Sequence, residues 1–144
     1  VEQVSWPVGG IAPESVPPAL AHACDLVGSD LAAAGVVAAS GDTWWAGKSA
    51  LLSGGAPAAW VVGLGDGRKF AFGFGVDLSG SDAGVVALVA EGVQTHLAGY
   101  EFVEWPRCPR HRGPMAVAVE DVAAVWACRG ARCQTIPIGA WSPT

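Results

Sequence analysis

Charge is scarce in this sequence. Only 15% of the residues are Asp, Glu, Lys or Arg, too few for a solvated disordered chain, so a buried core is expected. Basic side chains are scarcer still. Eight Lys and Arg stand against thirteen Asp and Glu, a net charge of −5, and acidity of that kind argues against generic nucleic-acid binding. Tyrosine and methionine occur once each and phenylalanine four times. No uninterrupted apolar run reaches the roughly 18 residues that a membrane span needs, so no membrane partner is expected. Collagen is excluded because the 20 glycines and 10 prolines have no triplet period, and the same composition favours a turn-rich fold. The catalytic signatures G-x-S-x-G and H-E-x-x-H are missing, and so is any convincing carboxylate pair. What remains is 144 residues, 51% hydrophobic, the size of one domain or of one domain with a small appendage. The apolar mass is small in kind: 26 alanines and 19 valines.

The charge is unevenly placed. Residues 1–106 hold three basic and eleven acidic side chains, a balance of −8. Residues 107–144 hold Arg107, Arg110, Arg112, Arg129 and Arg132 against Glu120 and Asp121, a balance of +3. The last quarter is a different electrostatic object. The chain starts at Val1 without a basic-then-apolar leader, and its Ala/Gly/Val/Arg bias suits a GC-rich coding sequence with a GTG start. The default expectation is a cytoplasmic protein, with a mature secreted chain as the alternative reading.

Residues 1–18, with four prolines, read as an irregular lead-in. Leu20, Cys24, Val27 and Leu31 recur at helical spacing, with Pro18 suited to a first turn. Thr43 to Leu52 reads as a weak helix capped by Thr43 and interrupted by Gly47. Ala58 to Leu64 and Lys69 to Asp77, around Asp66-Gly67, form the best hairpin, with Phe70, Phe72, Phe74 and Val76 expected on one face. Gly84 to Leu97 is the best helix, on an i, i+4 stripe of Val85, Val89, Val93 and Leu97, with Gly99 as its stop. A second hairpin is expected from Met115 to Ala127 around Glu120-Asp121. Gly47-Lys48-Ser49 lacks the glycine spacing of a phosphate loop, and Gly63 to Gly67 precedes a strand and so reads as a hairpin turn. Cys24 reads as core, and His96 as a favourable charge at a helix end. Most of the seven tryptophans read as core filler, with Trp44, Trp45 and Trp141 as candidates for a binding surface.

The chemistry gathers late. Cys108 and His111 form a C-x2-H pair and Cys128 and Cys133 a C-x4-C pair, separated by residues 112–127. Two short pairs of sulfur and nitrogen ligands, joined by a hairpin, suit a tetrahedral zinc ribbon. Such a site would be closed and structural. A Cys108–Cys128 or Cys128–Cys133 disulfide, or unlinked thiols beside a surface histidine, are the alternatives. Trp105-Pro106-x-Cys108-Pro109-x-His111, followed by Val125-Trp126-x-Cys128, resembles a segment of small uncharacterised actinobacterial proteins, which place a β-hairpin between W-P-x-C-P-x-H and W-x-C. The resemblance spans about residues 94–128, roughly a quarter of the chain. It implies a role for Cys108, His111 and Cys128, implies no partner for Cys133, and carries no activity.

The expected architecture is α+β: β-hairpins on two or more helices, with residues 1–100 as a small α+β unit and 101–144 as a zinc-ribbon-like segment packed on it. The expected function is a non-enzymatic binding or adaptor protein with a structural zinc on Cys108, His111, Cys128 and Cys133. Its contact surface would be Arg107, Arg110, Arg112, Arg129 and Arg132, for a protein partner or, less in keeping with the net charge, a nucleic acid. Two alternatives stand beside it. One is a small enzyme with an open Cys-Cys-His site and Glu104 or Glu120 as base. The other is an immunity-type inhibitor, suggested by size and acidity alone.

Overall fold

The computed structural model describes residues 3–36, 41–48, 59–68, 70–130 and 135–142. Its elements run β1 (Gln3–Pro7), α1 (Pro18–Ala34), β2 (Thr43–Lys48), β3 (Ala59–Gly65), β4 (Phe70–Asp77), α2 (Asp82–Tyr100), β5 (Ala116–Glu120), β6 (Ala123–Ala127) and β7 (Ile136–Pro137). The class is α+β, with an antiparallel sheet in the order β1-β2-β3-β4 and a second in the order β5-β6-β7. No helix among the described residues is long and apolar enough to cross a membrane.

Period-two alternation selects the inner face of the first sheet. The register aligns Trp6 with Trp44, Trp44 with Leu64, and Leu64 with Phe72. The next row aligns Val4, Ala46, Val62 and Phe74. Trp44, Ala46, Val62 and Leu64 are fully shielded. The opposite face is glycine-rich towards β4, where Gly63, Gly73 and Gly75 fall on it beside Trp45 and Val61. A register shift at Leu64/Gly65 bulges β4 at Ala71, so strict alternation holds from Phe72 onward.

Both helices lie against this core. α1 opens with proline in its first turn, where the missing N–H costs nothing. It buries Leu20, Ala23, Cys24, Val27 and Leu31. α2 is capped by Ser81, whose hydroxyl accepts from the Gly84 N–H at 3.1 Å, with Asp82 complementing the positive end of the helix dipole. The turn before it is held by the Ser79 N–H, which donates to Asp77 at 2.9 Å and keeps that carboxyl below its ordinary range. Val85, Val86, Val89, Ala90, Val93 and Leu97 are buried along α2, each Val or Leu contributing about 1.5–3 kcal/mol of hydrophobic stabilisation. At Gly92 the helix backbone rests on the Phe74 ring. A Cβ there would meet ring carbons at 2.4 Å, so only glycine permits this approach.

Several expectations are corrected. Thr43–Lys48 is strand, not helix, because Trp6 and Leu64 on its neighbours complete an apolar face that the segment alone does not show. Trp44 is therefore core rather than a surface anchor. Part of the irregular lead-in is β1, an edge strand, where Pro7 is tolerated at the end. α2 runs through Gly99 to Tyr100. The first and second hairpins and α1 lie where the sequence places them. Ser49, Leu51, Leu52, Lys69 and the Phe70 side chain fall outside the described residues.

Candidate metal centre

The centre is built on two tight backbone turns. The first spans Pro106 to Met115. Arg107 bridges Pro114, the Met115 N–H donates to the Pro106 carbonyl at 2.9 Å, and the Cys108 N–H donates to the Gly113 carbonyl at 2.9 Å. Inside this ladder the Arg112 N–H donates back to the Cys108 carbonyl at 2.8 Å, with Arg112 left-handed at φ 62°. The chain therefore doubles back within Cys108–Gly113 and returns His111 over Cys108. The second turn follows β6, where Cys128, Arg129 and Gly130 leave the strand. Ala116 pairs with Ala127, so the β5–β6 ladder carries the two turns to the same end of the sheet.

Three donor atoms converge there. His111 Nδ1 lies 3.7 Å from Cys108 Sγ and 3.4 Å from Cys128 Sγ, and all three atoms fall within 4.8 Å of one another. A tetrahedral zinc, with bonds of about 2.3 Å to sulfur and 2.0 Å to nitrogen, spaces its ligand atoms about 3.5–3.8 Å apart. Each sulfur also accepts a backbone N–H: His111 to Cys108 Sγ at 3.4 Å and Gly130 to Cys128 Sγ at 3.3 Å. These contacts fix where each sulfur points, towards the shared centre. Gly130 is required by close approach, since a Cβ would meet the His111 ring at 2.8 Å. Cys108 is buried, Cys128 half-buried and His111 exposed. Cys108, His111 and Cys128 together are a group able to hold a metal ion.

Cys133 and Arg132 lie outside the described residues. Among the described residues no disulfide is formed. Cys24 is a core thiol, far from any ligand role: burial pushes its pKa well above the ordinary range, and Asp25 adds to the shift. Glu104 pairs with Arg107 at 3.5 Å. Glu120 sits four residues along β5 from the metal end, ~13 Å away at strand rise, and so is badly placed as a base. His96, near the end of α2, lies with its Nε2 3.4 Å from a Glu101 carboxylate oxygen, and its ring stacks on Phe72 with centroids 3.5 Å apart and planes 6° apart.

Two residues that sequence reading passed over hold the centre in place. Gln94, on α2, donates from Nε2 to the carbonyls of both Trp105 and Met115, the two ends of the first turn. Asp30, the one fully buried carboxylate among the described residues, accepts from Trp126 Nε1 at 2.7 Å, from the Gly139 N–H at 2.8 Å and from the Trp141 N–H at 3.0 Å. Its carbonyl faces Trp105 Nε1 at 3.4 Å. The tryptophans of the W-P-x-C and W-x-C segments thus meet edge-to-face, at 5.0 Å and 74°, over a single residue of α1. The available signal was an acid inside the apolar run of α1. No family model, curated protein or solved structure matches this chain.

Proposed function

We propose that this chain is a non-enzymatic binding protein whose C-terminal hairpin is organised by a structural zinc ion. The observation that carries this reading is the spacing of Cys108 Sγ, His111 Nδ1 and Cys128 Sγ, with a backbone N–H on each sulfur. Two thiolates and an imidazole suit zinc better than harder cations. Cys133 completes the ligand set by its spacing in the sequence, which makes the hairpin ribbon-like and the site closed. Zinc binding of this type is worth about 10–16 kcal/mol, enough to fix a small sheet that has little core of its own. Arg107, Arg110, Arg112 and Arg129, with Arg132 near them in the sequence, then supply positive charge suited to an acidic face of a protein partner.

Native mass spectrometry with thiol alkylation tests the proposal. One zinc per chain is expected, with Cys108, Cys128 and Cys133 alkylated only after chelation and Cys24 protected by the folded core. A chain with less than about a tenth of an equivalent of zinc, purified without a tag and resupplied with zinc, contradicts the proposal. A second reading rests on the exposure of His111. If Cys133→Ala keeps its zinc at unchanged affinity, the fourth position is open to solvent and a metal-dependent enzyme becomes the better description.

A further inference from the structure

Among the described residues, the first sheet ends on an unpaired edge. β4 pairs with β3 on one side and, among the described residues, with no strand on the other. From Phe70 to Val76 it carries no charge and no proline, the devices that ordinarily blunt an edge. The bulge at Ala71 is confined to its start, and the ladder beyond it is regular.

α2 overhangs this edge. On its far side Leu88, Glu91, Thr95 and Tyr100 line a groove of about 660 Å³ with Phe72 and Phe74. Leu88 is 40% and Tyr100 75% exposed, so the groove has an uncovered apolar wall. Leu88 to Tyr100 extends ~18 Å at helical rise, and a six-residue strand spans ~20 Å. The groove therefore has the length of one short strand, with a hydrogen-bonding edge on one side and side chains on the other.

Charge decides between occupants. Glu91 is the carboxylate lining the groove, midway between Leu88 and Thr95, in a part of the chain whose balance is −8. A second copy joined β4 to β4 about a two-fold axis would bring α2 beside its symmetry mate and Glu91 towards its own counterpart. A basic extended segment meets Glu91 with opposite charge instead. We propose that the β4–α2 groove receives an extended polypeptide segment as a fifth strand, with main-chain hydrogen bonds to β4, apolar residues against Phe72, Phe74 and Leu88, and a Lys or Arg facing Glu91. This is β-strand addition, in which the main chain supplies affinity and alternate side chains supply selectivity. It does not depend on the zinc reading.

The test uses two labelled heptapeptides, acetyl-Thr-Val-Thr-Lys-Thr-Leu-Thr-amide and its counterpart with Glu for Lys. In each the second, fourth and sixth residues share the face turned to α2. Anisotropy titrations against the intact protein should give about tenfold tighter binding of the lysine peptide, the size expected when an exposed attraction becomes a repulsion. Glu91→Lys, at an exposed helix position that leaves the fold intact by far-UV circular dichroism, should invert the preference. Equal affinities, a preference that survives Glu91→Lys, or no binding of either peptide at millimolar concentration each overturn the proposal. So does a stable homodimer in sedimentation that Glu91→Leu tightens, since that result assigns the edge to a second copy.

Discussion

Asp30 ties α1 to the C-terminal part of the structure through three hydrogen bonds to its side chain. Its carboxylate is taken out of water by α1 and repaid by three N–H donors from the far end of the chain. Hydrogen bonds to a charged acceptor are the stronger kind, and donors stripped of their partner in a buried site are costly. Asp30→Ala leaves Trp126 Nε1 and the two amides unmatched. It should lower stability by about 3 kcal/mol or more, read as a fall in the urea midpoint. An unchanged midpoint would mean that those donors find other acceptors. The sequence made Cys24 legible as core because its neighbours are apolar at helical spacing. For Asp30 it showed only an acid inside an apolar run, because the donors lie 96, 109 and 111 residues away and leave no local pattern that names them. Cys108, His111 and Cys128 were legible for the opposite reason: rare residue types in short pairs advertise themselves.

Among elements, α2 was the most legible and β2 the least. The valine stripe of α2 repeats over several turns within one segment, so its buried face is visible without its partners. β2 is six residues long, and its Trp44 becomes part of a core face only when Trp6 and Leu64 flank it. β7 has two residues, too few for any period. α2 also reaches beyond its own sheet. Gln94 holds both ends of the first metal turn by their carbonyls, a link across 11 and 21 residues that periodicity does not reveal. Gln94→Ala removes both bonds while leaving the ligands untouched. We expect a stability loss of about 1–2 kcal/mol and faster release of zinc to a colorimetric chelator than from wild type. A stability loss with an unchanged release rate would separate the helix from the metal centre.

At the scale of the whole molecule, both helices serve both sheets. The four-stranded sheet has α1 and α2 above it and a core rich in tryptophan and valine. The three-stranded sheet has α2 beside it, Asp30 beneath its tryptophans and the candidate metal-binding group Cys108, His111 and Cys128 at its end. Metal removal should therefore act unequally. Hydrogen exchange after chelation is expected to show lost protection in β5 and β6, with β2, β3 and α1 keeping theirs. Uniform loss across both sheets would show instead that the chain folds only as a loaded unit. The antiparallel α+β class was legible from alternating runs and turn residues. The sharing of the helices was not, since it depends on which faces remain after each sheet has formed.

The bare backbone of Gly92 on the Phe74 ring, one turn before the His96–Phe72 stack, has a mechanical consequence. A helix packed through ordinary side chains can slip by one turn and find new hollows. Slipping α2 would carry a Cβ into the ring that Gly92 now accommodates and would break a ring stack at the same moment. The helix is keyed to the first sheet like a shaft in a slot. Any displacement at the metal end must turn helix and sheet together as one lever, rather than drive the helix along its axis as a piston.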